Sequence, residues 1–296
     1  MFPGFRDVRV EVPAPAGHVV AWVGGDGPPA LLLHGYPQTR AMWHRVAPAL
    51  AAHRTLVIPD LRGYGGSGAP APDPEATLYA KRAMAGDALA LMEALGFRGS
   101  FAVVGHDRGA RVGHRLALDH PGRVERLAVL DILPTRTLFR GTDQAFATAY
   151  WHWFFLIQPG GLPERMIGAD PEWFVREILR RWAADVDDLD PRAVAEYVAA
   201  FDAPTIAASC ADYRAAAGVD LVHDDADARA GRRLACPLLV MWGARGAMGR
   251  MYDLPAAWRE VADDVRATEI DCGHFPAEER PQETAAALRA FLTESP

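Results

Sequence analysis

An α/β architecture, a mostly parallel doubly wound sheet carrying an inserted helical cap, is what this 296-residue chain predicts. Short apolar runs alternate with helix-period stretches over most of its length. The alternation stops between residues 134 and 233, where Trp, Tyr and Phe abound and β-branched runs are scarce. One glycine-flanked acidic turn, Gly105-His106-Asp107-Arg108-Gly109, falls where a strand would end and a helix begin.

VRVEV (8–12) and HVVAWV (18–23) open the chain as a candidate hairpin. From ALLLHG (30–35) onward the runs are too continuously apolar to leave a wet face, which predicts strands buried on both sides of the sheet. RTLVIPD (54–60), FAVVGH (101–106), RLAVLD (126–131), LLVMWG (238–243) and VRATEID (265–271) continue the series. Helical patterns fill 41–52, 79–95, 108–120 and 283–294, and GYGGSGAPAPDP (63–74) reads as a turn-rich loop. Strands return on both sides of the helical stretch, so 134–233 interrupts one core domain made of 1–133 and 234–296.

Half of the residues are hydrophobic, enough for one sizeable core. A net charge of -7 gives no basis for gripping nucleic-acid phosphates or anionic lipid, so neither partner is expected. Cys210, Cys236 and Cys272 are widely spaced, which fits a reducing cytoplasm and implies neither a zinc site nor a disulfide framework. The stretch MFPGFRDVRVEVPAP interleaves charges with its apolar residues and does not read as a secretory signal, and no segment has the apolar length to cross a bilayer.

The acidic turn has the spacing of a nucleophile elbow, in which glycines let the backbone turn sharply and lift the central side chain out of the sheet. With Asp107 at its centre, the nucleophile is already ionised at neutral pH and suits displacement at saturated carbon, giving an ester that water must cleave. The structural alternative is an ordinary helix N-cap. Cleaving the ester needs a base, and His274, in a Gly-containing loop after the last strand, is the candidate. A carboxylate should orient it. The loop after the penultimate strand, GARGAMGRMY, holds no acid, so Asp131 at the end of RLAVLD is the better choice, with Asp253 a distant substitute. The order nucleophile, acid, histidine matches that of α/β-hydrolases. Backbone N–H groups of Tyr36, in His34-Gly35-Tyr36-Pro37, and of Arg108 would face an oxyanion.

Arg108 and Arg111 share a face of the first helical turn after the elbow, where the helix dipole disfavours cations. A substrate carboxylate would offset them; the alternative is that either arginine points to solvent or pairs with an aspartate such as Asp60 or Asp107. In the cap, His152, Trp153 and Tyr213 carry donors suited to a departing halide, although core packing is the stronger reading of an isolated aromatic cluster and the residues alone do not overturn it.

GHDRGAR, HGYPQT, LDILPT, YWHWFF, DYRA and CGHF together resemble the haloacetate dehalogenase family, especially fluoroacetate dehalogenases, within the α/β-hydrolase superfamily. The resemblance implies Asp107 as nucleophile, His274 as base, Asp131 as its partner, Arg108 and Arg111 as carboxylate ligands, and His152, Trp153 and Tyr213 as the halide pocket. It also implies a homodimer. Two departures are Tyr36, where Phe is expected, and the Gly-Arg loop at 243–250. The implied reaction converts a small 2-haloacid to a 2-hydroxy acid and halide with neither metal nor organic cofactor. Epoxide hydrolases share the same triad but use cap tyrosines, here Tyr213 with Tyr150 or Tyr197, and gain little from an arginine after the nucleophile.

Overall fold

The computed structural model describes residues 2–294. Its eight strands form one sheet in the order β1-β2-β4-β3-β5-β6-β7-β8. They are β1 (Arg6–Glu11), β2 (His18–Gly24), β3 (Pro29–Leu33), β4 (Thr55–Pro59), β5 (Phe101–His106), β6 (Val124–Leu130), β7 (Leu238–Gly243) and β8 (Val265–Ile270). β1 pairs with β2, and β2 with β4, antiparallel; every later pairing is parallel.

The burial of each strand follows its composition. β5 is buried at all six residues and β3 at Ala30 to Leu33, as continuous apolar runs require when helices cover both faces. β2, nearer the edge, alternates between buried and half-buried residues. The stretch 41–52 departs from the single helix expected. It divides into a 3-10 turn at Arg40–Trp43 and a short helix at Ala47–Ala51, because Pro48 fits the first turn of a helix but not its interior.

Between β6 and β7 the chain runs through helices, from Thr135–Arg140 to Val219–Arg229, which form the cap. Four of its helices open with aspartate caps: Asp143, Asp170, Asp190 and Asp202 each accept a backbone N–H from the first turn. The chain then returns to the sheet at β7, directly beside β6. Parallel pairing in close register places the C-terminal ends of β3, β5, β6, β7 and β8 along one edge, under the cap.

Candidate active site

Asp107 follows β5 and begins the helix Asp107–Asp119 with φ at 43°, a left-handed conformation that costs a non-glycine residue about 1–2 kcal/mol. The turn is tight enough that a Cβ on Gly109 would stand 2.3 Å from the His34 carbonyl oxygen. The Asp107 side chain does not cap its own helix; Oδ2 accepts the Tyr36 backbone N–H at 3.1 Å. Burial pushes its carboxyl pKa up, but the charges of His274, Arg108, His106 and Arg111 outweigh burial and bring it down to about 2. The carboxylate is therefore ionised at any ordinary pH.

His274 follows β8, and its Nδ1 lies 2.5 Å from Asp131 Oδ2. Asp131 follows β6 with φ at 52°, and its second oxygen accepts the Gly243 N–H at 3.0 Å from the end of β7. Three neighbouring strand ends thus build one acid–base pair. Burial lowers the His274 pKa, but the Asp131 hydrogen bond and charge, helped by Asp107 and Glu279, raise it above 6.5 on balance. With Nδ1–H donated to the carboxylate, Nε2 is the basic nitrogen.

The loop holding His274 is tied to the cap. Its backbone N–H donates to the Trp182 carbonyl at 2.9 Å. Glu279 accepts the N–H groups of Gly273, Phe275 and Ala184 at 2.9, 3.0 and 2.7 Å, joining both sides of the cleft. Trp182 also packs its ring 4.4 Å from His152 and 5.2 Å from His274.

Arg108 is fully buried, with Nε and Nη2 forked onto Asp212 at 2.9 and 2.6 Å. Lys81 Nζ and Tyr64 Oη also bond to Asp212, and the Arg108 guanidinium stacks 4.1 Å from the Tyr213 ring. Arg111 donates to the Leu133 carbonyl and Thr135 Oγ1 and lies 4.7 Å over Trp153. Burial, then the neighbouring Arg108, lower its pKa to about 10, so it stays charged at neutral pH.

Besides His106 Nδ1, five buried polar atoms around Asp107 have no hydrogen-bond partner among the described residues: Tyr36 Oη, Arg108 Nη1, Arg111 Nε, His152 Nδ1 and Tyr213 Oη. The Tyr213 ring lies 5.4 and 5.7 Å from Tyr36 and His152 and under the Arg108 guanidinium, and Trp153, 6.1 Å from it, links it to Arg111. Four of the five are donors, two guanidinium N–H groups and two tyrosine hydroxyls that burial keeps protonated, a set suited to an anion. Beside it a cavity of about 610 Å³ opens between core and cap, lined by Asp107, His274, His152, Tyr150 and Trp182 among others. Among the described residues no group of three or more His, Cys, Asp or Glu side chains is arranged to hold a metal.

The α/β hydrolase fold family model matches residues 28–281. A fluoroacetate dehalogenase from Burkholderia sp. is 46% identical over 100% of this chain and 96% of its own. The chain belongs to the haloacetate dehalogenase family of α/β-hydrolases. A soluble epoxide hydrolase from Corynebacterium sp. (strain C12) is also related, at 35% identity over 87% of each chain. A solved structure from Nostoc sp. PCC 7120, assigned to the α/β-hydrolases, superposes with a TM-score of 0.97 at 52% identity over 100% of both chains.

In this dehalogenase-family chain, Asp107, His152 and His274 line the cavity, while Arg108, Arg111, Trp153 and Tyr213 pack together beside Asp107 outside its lining. Arg108 is not left wholly to an outside anion. Its charge is met by Asp212, not by Asp60, which pairs with Arg40, nor by Asp107, and only Nη1 is left over. Tyr197 is also removed from the candidates, since its hydroxyl donates to Glu278 at 3.0 Å. Asp253 caps the helix Leu254–Arg259 and takes no part in the triad. Sequence reasoning missed Asp212, Lys81, Trp182 and Glu279. Asp212 stands directly before Tyr213, and a buried arginine at the elbow was the signal that a carboxylate had to face it.

Proposed function

We propose that the protein hydrolyses short 2-haloacids, such as fluoroacetate or chloroacetate, to 2-hydroxy acids and halide. Asp107 Oδ2 is held by the Tyr36 N–H, which leaves Oδ1 to attack the α-carbon. The C–O bond forms as the carbon–halogen bond breaks with inversion, and the halide leaves with the bonding pair. The substrate carboxylate takes the free N–H groups of Arg111 Nε and Arg108 Nη1. Burial pushes the His152 pKa down to about 3, so its imidazole is neutral, and with the protonated Tyr213 hydroxyl it offers donors to the departing halide.

Water then loses a proton to His274 Nε2 and adds to the Asp107 carboxyl carbon. The oxyanion meets the Tyr36 N–H and the Arg108 N–H, which lies in a helical first turn and has no intrahelical acceptor. Collapse expels the alkoxide, which takes the proton back from His274. The sum is haloacid plus water giving hydroxy acid, halide and a proton.

The observation that carries this reading is the ionised carboxylate at the elbow beside two buried guanidinium groups with unmet N–H donors. An epoxide would use the same triad but leave those donors unmet. Halide release from fluoroacetate and chloroacetate, with Asp107→Asn and Arg111→Ala as controls and an epoxide as comparator, tests it. The reading expects fluoride and chloride from the wild type and neither from the variants; diol without halide would move the protein to the epoxide hydrolases. The three free buried cysteines support a cytoplasmic setting, and exposed Leu162, Met166 and Trp173 on the cap support a homodimer that sedimentation would detect.

A further inference from the structure

The segment from Gly243 to Arg250, a turn that leads into the short helix Ala247–Met251 with Arg250 in its last turn, contributes one backbone N–H to Asp131 and otherwise has no part in these steps. It packs closely on the loop of His274: a Cβ on Gly243 would stand 1.8 Å from the Gly273 carbonyl oxygen. Its position brings Arg245 and Arg250 to the wall of the same cavity that holds Asp107 and His274. Arg181, in the helix Pro171–Trp182, reaches it from the cap. All three arginines are exposed, so they stand at the mouth and not at the buried end.

Two of them are accounted for without a ligand. Arg181 Nε pairs with Glu177 one turn earlier at 2.6 Å, near a helix C-terminus that favours cations. Arg245 pairs with Asp271 at 3.0 Å. Arg250 makes no side-chain hydrogen bond or ion pair with any described residue. Glu177 is shared between Arg181 and Arg180, and Asp271 is set against Arg245, so Arg250 is the one of the three lining arginines with no acidic partner among the described residues. The whole chain carries -7, a field that repels an anionic substrate.

We propose that Arg250 is a specificity-determining residue that draws the carboxylate of an anionic haloacid into the cavity ahead of its transfer to Arg111 and Arg108. The inference rests on the haloacid reading above. A charge at the mouth of a cleft with low-dielectric walls acts more strongly than the same charge on open surface, because the walls focus its field. It acts on capture and not on the reacting atoms, so it belongs to KM and not to kcat. Salt weakens it, since the screening length falls from about 30 Å at 0.01 M to about 3 Å at 1 M ionic strength.

The test is steady-state kinetics with chloroacetate on the whole protein, at roughly 0.01 M and 0.5 M ionic strength. Wild type is compared with Arg250→Gln, Arg250→Glu and Arg250→Lys. At low salt KM should rise about fivefold for Gln and further for Glu, with kcat within about twofold of wild type, and Lys should restore KM. At high salt the variants should converge. An unchanged KM at low salt, or a defect that persists at high salt and is not restored by Lys, overturns the proposal. A wild type that releases no halide from chloroacetate refutes the haloacid reading itself, and the inference with it.

Discussion

At the base end of the site, His274 is tied by its ring to Asp131, by its backbone to Trp182, and through its neighbours to Glu279, so its position is fixed before anything binds. At the anion end, a few side chains away, Tyr36, Arg108, Arg111, His152 and Tyr213 each bury a polar atom with no partner. Each unmet atom costs about 1–3 kcal/mol of folding stability. The contrast separates two tasks. In the proposed reaction the base must be aimed in advance, because ester hydrolysis depends on where Nε2 points, while the anion donors, withheld from one another, would go to the substrate carboxylate and the departing halide. Arg108 belongs partly to each task, with two nitrogens committed to Asp212 and one withheld.

The largest effect should come from removing the nucleophile. Asp107→Asn should lower halide release by at least about 10³-fold, measured by ion chromatography, while circular dichroism stays unchanged. Next, Asp131→Asn should slow turnover by about 10²–10⁴-fold and move its pH profile. The sign follows from His274. Its imidazole is a base only when neutral, and its pKa is raised, so the hydrolytic step of the wild type should gain rate through a midpoint above 6.5. Without the Asp131 charge that midpoint should fall. Pre-steady-state rates across pH would check both.

Smaller still is Glu279→Gln, which weakens the acceptor of three amides and should lower kcat about tenfold with KM little changed. Tyr213→Phe should separate the two ends most cleanly. It removes an unpartnered hydroxyl, so halide release should slow by about tenfold while Tm rises by about 1–3 °C. A variant that lost stability would show that the hydroxyl has a structural partner after all.

Much of the base end was legible in the sequence for a local reason. Asp107, Asp131 and His274 each stand just beyond a strand, and parallel strands deliver such positions to one edge whatever lies between them. The anion end was less legible because its logic is tertiary. Asp212 meets Arg108 across 104 positions and Lys81 across 131, and no periodicity links them. Tyr150 and Tyr197 looked alike in sequence; only the fold gives Tyr197 to Glu278 and places Tyr150 on the cavity wall. The Gly-Arg loop stood out by composition, but its place at the mouth depended on how closely Gly243 approaches Gly273.

In the proposed mechanism Asp107 forms an ester with the substrate and His274 is needed only to cleave it. Mass spectrometry of denatured His274→Ala protein after exposure to chloroacetate tests both halves at once. Stoichiometric halide release in a single turnover is expected, with a carboxymethyl ester on the peptide that contains Asp107. Sustained turnover without an adduct, or an adduct on another residue with Asp107 unmodified, would contradict it.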